Sequence, residues 1–146
     1  MKATAAGPGV SSAVEAVVDY YGPTDFTDPD AGVYSQKAIS LAQNLFGKPH
    51  DADPALWKSA SPAACAKAGD PPVLIVHGEA DSLVPVRQAQ FFDAALAKAG
   101  VPHQLIIVKN AEHGLAALPG KNISPSEVEL DRTVYGFFAK YLGPGK

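Results

Sequence analysis

Cysteine is almost missing from this sequence: Cys65 stands alone among 146 residues. An internal disulfide is therefore excluded, and with it a disulfide-stapled scaffold. One thiol suits a reducing compartment, so the expected setting is cytoplasmic. No apolar run approaches the roughly 20 residues that a membrane-spanning helix needs, and no membrane contact is expected. Basic charge is not concentrated either. The 12 Lys and Arg are scattered among 15 Asp and Glu, the net charge is −3, and a nucleic-acid partner is not expected. The four histidines, His50, His77, His103 and His113, lack the close spacing of metal ligands, which argues against a metal site. There is no glycine-rich phosphate loop and no dinucleotide fingerprint, so no cofactor is expected. The opening Met-Lys-Ala-Thr-Ala-Ala-Gly-Pro-Gly has no apolar segment of the kind a signal peptide carries.

What is present is ordinary globular composition, with 47% hydrophobic and 18% charged residues, and a length that fits one domain over residues 1–146. The informative stretch is Pro72-Val73-Leu74-Ile75-Val76-His77-Gly78-Glu79-Ala80-Asp81-Ser82-Leu83-Val84-Pro85. Four consecutive apolar residues, three of them β-branched, between Pro and His-Gly predict a strand buried on both faces. The turn after it places Asp81 beyond the strand's C-terminal end, where open α/β sheets gather their ligands and reactive groups. The pattern recurs in Leu105-Ile106-Ile107-Val108, which leads to Ala111-Glu112-His113-Gly114. Two adjacent parallel strands would bring Asp81 and His113 to one edge, as the acid and the base of an acyl-transfer triad in that order.

Around these strands the pattern alternates. Residues 1–13 are small and Gly/Pro/Ser-rich and read as a flexible lead-in. Val14–Tyr21 is a strand ended by Gly22-Pro23, and Thr24–Gly32 is an Asp- and Pro-rich loop. Ser35–Phe46 is a helix with Gly47 at its end. Asp53 caps a shorter helix that starts at Pro54, and a third helical piece is expected from Ala63 to Lys67. Val86–Ala99 is the clearest helix, closed by Gly100 and Pro102. His103–Lys109 is the last strand. A terminal helix reaches Leu142, with Ser124 and Glu127 as its expected capping box. The order predicts an α/β, three-layer, mostly parallel sheet of about three strands with flanking helices.

Val-His-Gly-Glu-Ala-Asp-Ser-Leu-Val-Pro followed by Ala-Glu-His-Gly resembles the acid and histidine segments of α/β-hydrolase esterases. Ala16-Val17-Val18-Asp19-Tyr20-Tyr21-Gly22-Pro23-Thr24-Asp25-Phe26 is similar to the strand and loop after the nucleophile's helix in carboxylesterases and lipases of the feruloyl-esterase and hormone-sensitive-lipase-like type. The likeness covers about Val14 to Leu142 and implies the C-terminal portion of an α/β-hydrolase fold. It implies a carboxylic-ester hydrolase acting on a small-molecule ester, with His113 and Asp81 as catalytic residues. The family's Gly-x-Ser-x-Gly elbow and His-Gly-Gly-Gly loop do not occur in the 146 residues; both are expected before residue 1, and the nucleophile is not expected in this chain. Ser11, Ser12, Ser82 and Cys65 lack the context of a nucleophile. The resemblance lays the helices near the site, so Phe46 and Trp57 are candidate substrate-binding residues; both also suit plain anchors of helix to sheet.

A strand with an open edge and apolar faces is a template for pairing, which predicts a homo-oligomer through Val14–Tyr21. The alternative function is that of a non-catalytic half-domain that acts by self-association or partner binding. A third reading has another polypeptide supply the N-terminal half.

Overall fold

A computed structural model describes residues 13–27 and 36–143. Most of the expected lead-in, the second part of the Asp- and Pro-rich loop, and Ser35 lie outside the described residues. The elements are β1 (Val17–Tyr20), α1 (Gln36–Phe46), α2 (Pro54–Ser59), α3 (Pro62–Cys65), β2 (Val73–Gly78), α4 (Arg87–Ala99), β3 (His103–Val108) and α5 (Glu127–Leu142). The three strands form one parallel sheet in the order β1-β2-β3. The expected three-layer α/β arrangement is therefore present.

β2 is the centre of the molecule because every one of its six residues is buried. Its side chains alternate between two cores, as the pleat requires. Leu74 and Val76 pack with Val108, Ala111, and Leu130 and Phe137 of α5 on one face. Val73 and Ile75 pack with Ala89 and Leu96 of α4, and Val101, on the other. The register sets Val17 against Val73 and Val73 against His103, so the three strands end close together.

β1 is shorter than the expected Val14–Tyr21. Val14 is exposed, and Tyr21 has φ 44°, a left-handed conformation that takes the chain out of the strand. α4 ends as expected at Gly100, which has φ 70° and donates to the Ala97 and Leu96 carbonyls. Asp53 caps α2 as expected by accepting from the Leu56 N–H. The capping box of α5 is formed by Ser126 and Glu129, not by Ser124 and Glu127. Ser124 is committed elsewhere: its backbone bridges Lys109 just beyond β3, donating to and accepting from it at 3.2 and 2.8 Å.

A third cluster, Phe26, Ala42 and Trp57 with Ile39, Phe46 and Leu56, ties α1 and α2 to the loop after β1. Polar bonds fix that loop further. The buried Gln88 side-chain oxygen accepts from the Thr24 and Asp25 N–H groups at 2.9 and 2.7 Å. Thr24 donates its hydroxyl to the Gln88 carbonyl at 2.6 Å. Buried Ser61 accepts from the Phe26 N–H and donates to the Trp57 carbonyl. The hydroxyls of Thr24 and Ser61 and the side-chain oxygen of Gln88 thus have partners inside, whereas the Gln88 side-chain nitrogen is buried without one.

Candidate active site

Asp81 follows β2 on a tight turn. Its Oδ1 accepts the N–H groups of Leu83 and Val84 at 3.0 and 2.8 Å. Its Oδ2 accepts from His113 Nδ1 at 2.9 Å. The structure thus brings together the two residues that the sequence pairs across 32 positions. A carboxylate on Nδ1 fixes the imidazole as the Nδ1–H tautomer and leaves Nε2 with its lone pair. Such an imidazole can accept a proton at Nε2, and the carboxylate stabilises the cation that results.

His113 reaches this place because the chain after β3 turns sharply. It opens a 3-10 turn in which Gly114 has φ 73° and Leu115 φ 59°. Glycine takes the first of these without strain, which explains the Gly that follows His. Tyr21 closes one side: its ring meets the imidazole edge-on at 4.9 Å between centroids. The left-handed Tyr21 that ends β1 therefore also places an aromatic wall on His113.

The other histidine of the acid segment lies beneath it. His77 is fully buried, and its Nε2–H donates to the Val84 carbonyl at 2.7 Å. The same nitrogen stands 3.4 Å from Asp81 Oδ2. Asp81 is thus flanked by two imidazoles, the inner one buried and bonded to the Val84 carbonyl. Asp19, half-buried on the β1 side, has its carboxyl pushed above the usual aspartate range. Burial is the main cause, partly offset by the charge of His77 and the Gly22 N–H.

Beside the imidazole lies a cavity of about 240 Å³ whose walls are almost wholly apolar. Phe26, Leu41, Leu45 and Val84 line it, and His113 stands at its edge. Phe46 and Trp57 do not line it. They stand behind Phe26, in edge-on contact with it at 5.3 and 6.2 Å. Trp57 is only 1% exposed and donates its indole N–H to the Lys48 carbonyl, which is the environment of an anchor. Phe26 was within reach of sequence reasoning, since it ends the segment that resembles the family. The leucines of α1 were not, because their faces alone do not show which one meets the site. Among the described residues no group of three or more His, Cys, Asp or Glu is placed to hold a metal.

The likeness to esterases runs through sequence and fold alike. The chain is 34% identical over 96 residues to the esterase LipQ of Mycobacterium tuberculosis, a match covering 64% of this chain and 23% of LipQ. It is 33% identical to a truncated form of a carbohydrate esterase from gut microbiota, with a TM-score of 0.63, covering 70% of this chain and 36% of that one. Est2 of Thermogutta terrifontis in its butyrate-bound structure shares the fold at 22% identity and a TM-score of 0.66, over 94% of this chain and 48% of that one. The chain spans between 20% and 30% of the length of the curated relatives it matches. A parallel sheet that delivers a carboxylate and an imidazole to one edge, on this background, makes the chain an α/β-hydrolase of the carboxylesterase-like class. Residues 3–96 match the BD-FAE family, and the chain belongs to that family.

Proposed function

We propose that this chain carries the acid and the base of a serine-type carboxylic-ester hydrolase, with Asp81 and His113 in those roles. The observation that supports it most is the 2.9 Å bond between Asp81 Oδ2 and His113 Nδ1 beside an apolar cavity. In this reading a serine hydroxyl attacks the ester carbonyl while His113 Nε2 takes its proton. The imidazolium then gives that proton to the departing alcohol, and water repeats the cycle on the acyl-enzyme. The cavity takes the uncharged acyl group against Phe26, Leu41 and Leu45, and Phe46 and Trp57 support that wall from behind.

The serine comes from outside residues 1–146. Among the described residues no serine hydroxyl bonds His113. Ser82 donates to Glu112, Ser61 is buried against Trp57, and Ser126 belongs to the α5 cap. Without that serine, His113 can still deprotonate water, so the chain alone is a slow esterase. Purified chain is expected to hydrolyse 4-nitrophenyl butyrate above the buffer rate and to take no fluorophosphonate label. Hydrolysis at the buffer rate would count against the hydrolase reading. A labelled serine within the chain would overturn the external nucleophile.

The outer edge of β1 supports a second element of the proposal, a homo-oligomer. β1 is bonded to β2 along one edge, and among the described residues no strand covers the other. Free N–H and C=O groups beside the exposed Val14 and Tyr20 favour addition of a second copy. Light scattering at micromolar concentration is expected to give at least twice the monomer mass; a monomer mass would sink this element alone.

A further inference from the structure

Glu112 directly precedes His113 and lies at the surface, yet one of its oxygens is heavily used. Oε2 accepts the Ser82 N–H and the Ser82 hydroxyl, both at 3.0 Å, and the His113 N–H at 3.2 Å. Ser82 in turn directly follows Asp81. The two turns joined by the Asp81–His113 bond are therefore joined a second time, one residue away on each side. Further bonds frame this clasp: Ala80 N–H donates to the Ala111 carbonyl at 2.9 Å, and Glu112 N–H to the Ala116 carbonyl at 2.8 Å.

We infer that Glu112 is a positioning residue, whose carboxylate clasps the acid turn to the base turn and so holds the His113 imidazole on Asp81. The base turn needs such a hold. It contains two consecutive left-handed residues, Gly114 and Leu115, and the second has a side chain for which that conformation is unfavourable. Removing the clasp frees the His113 backbone to leave this turn, and a small displacement of a general base is costly to the reaction it serves. Its catalytic consequence rests on the proposed roles of Asp81 and His113, but the clasp itself can be read without substrate.

The titratable groups on the two joined turns are Glu79 and Asp81 on one and His113 on the other. The donors from Ser82 and His113 hold the Glu112 carboxyl below the usual glutamate range, with the Ser82 N–H as the largest cause. Its folded value being depressed, the stability it contributes is present above the ordinary glutamate value. That contribution is lost as pH falls through the folded value.

Amide NMR of the whole chain tests this. The Ser82 and His113 amide signals are expected to titrate together, with one midpoint below the ordinary glutamate range. In Glu112→Gln that titration disappears. In Glu112→Ala, amide exchange at Ser82 and His113 accelerates by roughly 10- to 100-fold, the factor that corresponds to a lost hydrogen bond to a charged group. Ester hydrolysis falls in Glu112→Ala through kcat at unchanged KM and is largely restored in Glu112→Gln. Separate midpoints for the two amides, or unchanged exchange in Glu112→Ala, would overturn the clasp. Unchanged kcat in Glu112→Ala would overturn its positioning role. If the amides behave as expected while His113→Ala hydrolyses esters normally, the hydrolase reading fails and the clasp stands.

Discussion

Hydrolysis of an activated ester by this chain is expected to fall to the buffer rate in Asp81→Asn and in His113→Ala, with melting temperatures close to that of the parent chain. A positioned general base is worth roughly 10²–10⁴ in rate, and removing His113 forfeits it outright. The Asp81→Asn result is the more telling because the substitution is isosteric. Oδ1 of Asp81 accepts the Leu83 and Val84 N–H groups, so the asparagine must place its carbonyl oxygen there. Its NH₂ then falls at the Oδ2 position, 2.9 Å from His113 Nδ1 and 3.4 Å from His77 Nε2. His113 must accept at Nδ1, which moves its proton to Nε2, where a proton should be taken up. The base is present but in the wrong tautomer. The double variant should be no slower than the slower single one, because the two groups act as a unit. A rate retained within a few-fold in Asp81→Asn would show that the carboxylate does not set the tautomer.

The residues of this couple were legible in the sequence for a physical reason. A strand buried on both faces needs an unbroken apolar run, and the Pro, Gly and Asp that punctuate it are local signals. Val73–Val76 meets that requirement in β2, Leu105–Val108 repeats the apolar run in the half-buried β3, and parallel pairing in register brings the ends of both strands to one edge. The wall of the cavity was not legible. Phe26, Phe46 and Trp57 are all aromatic residues near the site, and their order from the cavity inward depends on how α1 and α2 pack. The Gln88 latch on Thr24 and Asp25 joins positions 64 and 63 residues apart through side-chain-to-backbone bonds, which leave no period to detect. The cap of α5 shows a related limit. Ser124-x-x-Glu127 and Ser126-x-x-Glu129 fit the same pattern, and what separates them is the pairing of Ser124 with Lys109, a contact between distant segments. Glu112 is harder still, since one glutamate in a turn gives no hint of the three donors it gathers.

Gly78→Ala is expected to be strongly destabilising. Gly78 is the last residue of β2, paired with Val108 of β3, and the base turn passes directly over it. A Cβ there would lie 2.5 Å from the Ala111 carbonyl oxygen, 2.8 Å from that of Glu112 and 3.0 Å from the Ala111 carbonyl carbon. All three are backbone atoms, so no side chain can rotate away. The Ala111 oxygen also accepts from the Ala80 N–H at 2.9 Å, and pushing it back opens that bond too. The cost belongs at the upper end of overpacking, about 3 kcal/mol, or roughly 6–12 °C in Tm for a chain of this size. Gly136 in α5 provides the contrast, because an added Cβ meets nothing within 4 Å. Alanine there should raise stability by up to about 1 kcal/mol through helix propensity alone. The effect of Gly78→Ala should reach the site as well as the fold: the clash moves residues 111–112 away from the acid turn, and His113 moves with them. Hydrolysis at temperatures well below the variant's Tm should therefore fall as it does in His113→Ala. A Gly78→Ala chain that melts with the parent and keeps its rate would mean that the base turn does not rest on the end of β2.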